Sequence, residues 1–166
     1  MPDKVIVRIE RSDGPGRPSR WEEFHVERRP NSNVISVLMQ IQRNPVTAEG
    51  KSTPPPAWDA ACLEEVCGSC TMVINGKVRQ ACSALIDKLT QPLVLQPMKK
   101  FPLVRDLTVD RGKMFEALKR VKAWIPIDGT YDLGPGPRQA PEEQELRYVL
   151  STCMTCGCCL EVCPQV

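Results

Sequence analysis

The sequence predicts an α+β protein in two parts, a strand-rich unit over residues 1–108 and a helical unit over residues 109–166. Three observations lead there. Apolar residues alternate near the start of the chain, a helical period takes over past residue 110, and the 9 cysteines fall into two groups, Cys62–Cys82 and Cys153–Cys163, with none between. Two separated cysteine groups imply two structural units, each built around its own inorganic centre.

In the first unit, Lys4–Glu10 places Val5, Val7 and Ile9 on one face of a half-buried strand. A Gly-, Pro- and Ser-rich stretch over Ser12–Ser19 reads as a turn, and Trp21–Val26 follows as the second strand of a hairpin. A short helix comes next. Ser32 or Asn33 caps it, Val34, Val37, Leu38 and Ile41 line one face, and Pro45 stops it. Strand, strand and crossing helix open a β-grasp, although any small α+β domain fits this stretch as well. Thr71–Ile74, Asn75-Gly76 and Lys77–Ala81 form a second hairpin, because Asn-Gly supplies the two positive φ values of a type I′ turn. Leu93–Gln96 closes the sheet.

In the second unit, Met114, Leu118 and Val121 recur at helical spacing over about 111–124. Lys113, Lys119, Arg120 and Lys122 lie opposite and read as a solvated face. Ile125–Pro141 is a Gly/Pro loop, and Glu142–Leu150 a helix leading to the later cysteines.

Composition narrows the function. Hydrophobic residues are 42% and charged residues 25%, a globular profile. A net charge of +2 provides no field for nucleic acid. No apolar run approaches the roughly 20 residues that cross a bilayer. The opening Met-Pro-Asp-Lys-Val-Ile-Val-Arg has no signal core, so the expectation is a chain that is not secreted, with reduced thiols. An odd cysteine count also argues against a closed disulfide framework. The cysteines are therefore expected to bind metal.

Cys62, Cys67, Cys70 and Cys82 have the spacing C-x4-C-x2-C-x11-C, and the first three match the plant-type [2Fe–2S] run. A flat two-iron cluster takes two thiolates on each iron, so a tight loop plus one strand end suffices. With Asn75-Gly76 as the turn, Ile74 pairs with Lys77 and Cys70 falls opposite Ala81, one residue from Cys82. Four thiolates also suit zinc, but only Cys67–Cys70 makes the short knuckle that structural zinc sites repeat. Cys153, Cys156, Cys159 and Cys163-Pro164 have the spacing C-x2-C-x2-C-x3-C-P, the bacterial-ferredoxin run, in which three cysteines grip one cubane and the fourth reaches another cluster. Cys158 lies outside that rhythm and reads as a small packed side chain. Three thiolates leave a [4Fe–4S] cluster one ligand short, and Cys163 alone cannot hold a second cluster. The expectation is the amino-terminal part of a longer protein.

Taken in this order, Cys62-Leu-Glu-Glu-Val-Cys-Gly-Ser-Cys, Asn75-Gly-Lys-Val-Arg-Gln-Ala-Cys and Cys153-Met-Thr-Cys-Gly-Cys-Cys resemble the iron–sulfur subunits of succinate dehydrogenase and fumarate reductase. The resemblance implies a β-grasp [2Fe–2S] ferredoxin domain followed by an α-helical ferredoxin domain, incomplete here. It implies Cys62, Cys67, Cys70 and Cys82 on [2Fe–2S], Cys153, Cys156 and Cys159 on [4Fe–4S], and Cys163 on [3Fe–4S]. It further implies a flavoprotein (FAD) subunit, a membrane anchor binding quinone or haem, and a peripheral place on the cytoplasmic face of a bacterial membrane. Pro164 matches a proline beside the quinone site, but Gln165 and Val166 stand where that family has aromatics.

The residues agree with an electron carrier: there is no acid–base pair, nucleophile constellation or phosphate loop, and His25 reads as structural. The expected function is the electron-transfer subunit of a succinate dehydrogenase, and the rival readings are a fumarate reductase subunit running the reverse direction, the small subunit of molybdenum hydroxylases, whose second cluster the C-x2-C-x2-C-x3-C-P run contradicts, and a zinc-stabilised binding module.

Overall fold

The computed structural model describes residues 4–126, 132 and 134–165. The chain divides into two units, Met1–Arg111 with Cys156–Val166, and Gly112–Thr155. The sequence places all five later cysteines with the helical residues, whereas this division sets Cys156–Val166 with the strands.

The first unit is a five-stranded sheet with its strands in the spatial order Arg20–Glu27, Lys4–Arg11, Leu93–Gln96, Thr71–Ile74 and Lys77–Gln80. Strand β1 (Lys4–Arg11) pairs antiparallel with β2 (Arg20–Glu27) and parallel with β5 (Leu93–Gln96). The expected alternation holds: Val5, Val7 and Ile9 are fully buried. Strand β2 is an edge strand whose only buried side chain is Phe24, and four of its eight residues, Arg20, Glu22, Glu23 and Glu27, are charged. His25 lies on it, half-exposed, with Nε2 2.9 Å from Glu23.

Helix α1 (Val34–Arg43) lays Val34, Ile35, Val37, Leu38 and Ile41 on the sheet. Of the two expected caps, Asn33 is the one used. Its Oδ1 accepts the Ser36 N–H at 2.9 Å, which satisfies one of the donors a helix start leaves open. Parallel β1–β5 pairing with a helix across the sheet makes this the β-grasp arrangement.

Strands β3 (Thr71–Ile74) and β4 (Lys77–Gln80) pair in the expected register, Ile74 with Lys77 and Thr71 with Gln80. Asn75 and Gly76 sit at φ 49° and 76°, as a type I′ turn demands. Asn75 does more than turn the chain: its Oδ1 accepts the Val94 N–H at 2.7 Å and its Nδ2 donates to the Thr90 carbonyl.

One feature of this unit has no local signal in the sequence. A short hairpin, β6 (Leu103–Arg105) and β7 (Thr108–Val109), carries Asp106 in its turn, and Asp106 is fully buried. Its carboxylate accepts Arg11 Nε at 2.8 Å, Ser12 N at 3.1 Å and Ala57 N at 2.8 Å. Arg11, also fully buried, donates further to the Pro54 carbonyl and pairs with Glu22. This network ties β1 to the proline-rich segment that leads into the first cysteine loop.

The second unit holds α2 (Gly112–Arg120) and α3 (Pro141–Ser151), and no residue of either helix is buried. α2 ends before Val121, shorter than the sequence expectation, and Val121 is exposed. Lys119 pairs with Glu116 at 2.7 Å on the expected solvated face. Of the loop expected over Ile125–Pro141, residues 127–131 and 133 lie outside the described residues, as does Val166.

Candidate metal centre

The first cysteine loop is built to collect amide hydrogens around sulfur. Leu63, Glu65 and Gly68 take φ values of 62°, 61° and 68°. Alternating left-handed residues turn successive N–H groups to one side, a nest that suits an anionic centre. Here the N–H groups of Glu64, Val66 and Cys67 point at Cys62 Sγ, at 3.5, 3.3 and 3.3 Å. Those of Cys62 and Ser69 point at Cys67 Sγ, at 3.5 and 3.4 Å. The Ser69 hydroxyl, then the Cys62 and Ser69 amides, pull the Cys67 thiol down to about 6.

Cys70 and Cys82 form the other half of the site, buried at the open end of the β3–β4 hairpin. The Ala81 N–H donates to the Cys70 carbonyl at 3.1 Å, which is the expected register carried one pair beyond the strands. Burial pushes the Cys70 thiol up to about 11, against the Cys82 backbone N–H, which favours the thiolate. Cys82 is fixed from the far side: Asn33 Nδ2 donates to its carbonyl at 2.7 Å, and the Val34 N–H donates to the Ala84 carbonyl at 3.1 Å. One asparagine therefore starts α1 and seats the fourth cysteine.

The thiols are gathered as two pairs, Cys62 with Cys67 and Cys70 with Cys82. Among the described residues, no three His, Cys, Asp or Glu side chains converge on a point where one metal ion could bind. Two pairs, one of them ringed by amide donors, fit a two-iron centre with two thiolates on each iron. The family described as 2Fe–2S iron–sulfur cluster binding domain matches residues 6–116.

The chain belongs to this family.

Among its relatives, the succinate dehydrogenase iron–sulfur subunit of Bacillus subtilis (strain 168) is 62% identical over 168 residues, covering 100% of this chain and 66% of that protein. The fumarate reductase iron–sulfur subunit of Wolinella succinogenes is 30% identical over 164 residues, covering 96% of this chain and 66% of that one. The chain thus spans about two thirds of the length of these relatives. A chain of the Mycobacterium smegmatis Sdh1 complex in the apo form superposes with a TM-score of 0.69 over 96% of this chain and 63% of that one, at 23% identity, so the two share a fold. Family membership sets the zinc reading of the first loop aside.

The later cysteines are arranged differently. Cys153 belongs to the second unit and is exposed. Cys156, Cys158, Cys159 and Cys163 belong to the first unit, where α4 (Cys158–Val162) begins at Gly157, φ 80°. Cys159 is exposed on that helix, and Cys163 leaves it with extended backbone. Cys158 is half-buried, its Sγ 4.0 Å from Gln80 Nε2, and burial, then the Cys156 thiol, push it up to about 12.

Several residues the sequence did not single out hold this segment. The Glu161 carboxylate accepts the backbone N–H groups of Lys99 and Lys100 at 2.8 and 2.9 Å, and Lys100 Nζ donates to the Cys163 carbonyl at 2.9 Å. A Cβ added to Gly157 would stand 2.8 Å from Phe101 Cζ, so glycine lets the turn lie against that ring.

Proposed function

We propose that this chain is the electron-transfer iron–sulfur subunit of succinate dehydrogenase, or its amino-terminal part. It would relay single electrons from a flavoprotein (FAD) subunit towards membrane quinone held by an anchor subunit. The observation that carries the reading is the pair of thiol pairs, one of them under a fan of N–H groups, in a chain 62% identical throughout to a succinate dehydrogenase iron–sulfur subunit. In this reading Cys62, Cys67, Cys70 and Cys82 hold [2Fe–2S] in a domain over 1–108. Cys153, Cys156 and Cys159 hold [4Fe–4S] and Cys163 holds [3Fe–4S] in a domain over 109–166, with the remaining ligands supplied from outside this sequence.

When bound, the clusters supply one-electron storage and transfer. The residues of the chain decide at what potential and how well shielded. The amides aimed at Cys62 and Cys67 stabilise negative charge on sulfur and raise the potential, while Glu64 and Glu65 beside them lower it. Burial of Cys70 and Cys82 keeps water from the inner half of the site.

No helix among the described residues is long and apolar enough to cross a membrane. Attachment through an anchor subunit at the cytoplasmic face is the placement we propose. The 30% identity to a fumarate reductase subunit favours a second reading with the same wiring and the opposite net direction.

Anaerobic addition of succinate to the purified complex tests the proposal. Bleaching of the brown iron–sulfur absorption is the expected result. A complex that contains this chain and iron but is not reduced by succinate would overturn it.

A further inference from the structure

We propose that Gly68 is a positioning residue for electron passage between the two cysteine groups, because its missing side chain lets the first cysteine loop lie directly on the backbone of Cys156. The inference rests on the cluster assignment above and concerns what sets the separation of the two centres.

A Cβ built on Gly68 would stand 2.4 Å from Cys156 Cα, 2.7 Å from Cys156 N and 2.9 Å from Cys156 Cβ. All three lie on the main chain or at the root of the side chain, so no rotamer change makes room. Gly68 follows Cys67 directly, and Cys156 is the first residue of the later segment in this unit. The contact opens a route between the groups along the Cys67–Gly68 main chain, one non-bonded step, and the Cys156 side chain.

Left-handed backbone alone does not call for glycine here. Leu63 and Glu65 take φ values of 62° and 61° in the same loop and carry full side chains. Gly68, at 68°, differs from them in what lies opposite. Its peptide is also locked: the Gly68 carbonyl accepts the Thr71 N–H at 3.3 Å, the Thr71 hydroxyl at 2.8 Å and Arg111 Nη1 at 2.8 Å.

Further contacts hold the later segment next to this point. Phe101 backs Gly157, and Glu161 clamps the amides of Lys99 and Lys100. Such a seat fixes one distance. In the step it serves, one electron leaves the reduced [2Fe–2S] centre and one arrives at the oxidised [4Fe–4S] centre. No bond is made or broken and no proton moves.

The experiment uses the full complex with both centres reduced. Electron paramagnetic resonance reads the intensity of each centre and the magnetic coupling between them, and freeze-quench reads the delay between their reductions. Gly68→Ala is expected to weaken the coupling and to lengthen the delay. Unchanged coupling and delay in that variant would overturn the inference. Should Gly68→Ala lose the first centre, Glu161→Ala decides, since it loosens the seat and leaves the first loop untouched. Retained centres with weakened coupling would support the inference, and wild-type coupling would overturn it. An unmutated complex lacking either signal would instead overturn the cluster assignment, and the inference with it.

Discussion

Helices α1 and α2 look alike as sequence and differ as structure. Each repeats apolar residues at helical spacing with polar residues opposite. α1 buries Val34, Ile35, Val37, Leu38 and Ile41 against its sheet, while α2 buries nothing, and α3 leaves Leu146, Tyr148 and Val149 exposed. Periodicity reports that a helix has an apolar face; only the rest of the fold determines whether that face is covered. The strand-rich unit covers its own faces, so its stability comes from burial. The helices do not, and in the reading proposed here they depend on metal ligation at Cys153 and on partners.

The sharpest way to break this contrast is to attack what holds the strand-rich unit together. Asp106→Ala removes the fully buried one of the two carboxylates that pair with Arg11 and leaves the Ser12 and Ala57 amides without their acceptor, and breaking a buried pair from one side costs about 3–5 kcal/mol. Urea denaturation of the purified chain should show that loss; a change below 1 kcal/mol would mean that Glu22 and the Pro54 carbonyl suffice for Arg11. Leu38→Ala in α1 should cost about 2–5 kcal/mol by the same measurement, since the residue is fully buried. Leu146→Ala in α3, 60% exposed, should stay within about 0.5 kcal/mol. Equal costs at Leu38 and Leu146 would end the comparison.

Removing iron should separate the regions again. Structural metal sites couple binding to folding, so after chelation hydrogen exchange should speed up over 141–165 while the amides of β1 and β5 stay protected. Loss of protection in both at the same chelator concentration would show that the sheet, too, depends on metal.

The smallest effect lies at the edge of the strand-rich unit. Arg28, and then the Asn31 N–H, hold the Asp87 carboxyl below its ordinary value. A depressed carboxyl contributes stability above its unfolded-state pKa and loses it as pH falls through the folded value. Arg28→Gln should therefore raise the Asp87 titration seen by nuclear magnetic resonance and slightly reduce stability near neutral pH, with the difference vanishing in acid. An unmoved Asp87 titration would show that the Asn31 amide alone sets it.

Much of this was legible in the sequence, for local reasons. The alternation of Val5, Val7 and Ile9, the Asn75-Gly76 turn and the cysteine spacings each declare themselves within about a dozen residues, and the hairpin register by itself brings Cys70 beside Cys82. What stayed hidden is long-range. Nothing near Asp106 announces Arg11 as its partner 95 residues away. The reach of Asn33 to Cys82, the seat of Glu161 on Lys99 and Lys100, and the contact of Gly68 with Cys156 likewise join distant segments, and no period or motif encodes them.

In the function proposed here Cys62, Cys67, Cys70 and Cys82 hold one two-iron cluster in two pairs, and Cys158 holds none. Electron paramagnetic resonance of the dithionite-reduced complex, with each of these five cysteines replaced by serine in turn, tests it most directly. A lost or shifted [2Fe–2S] signal is expected for each of the first four, and unchanged signals for Cys158→Ser. An unaltered [2Fe–2S] signal in Cys70→Ser or Cys82→Ser, or cluster loss in Cys158→Ser, would contradict it.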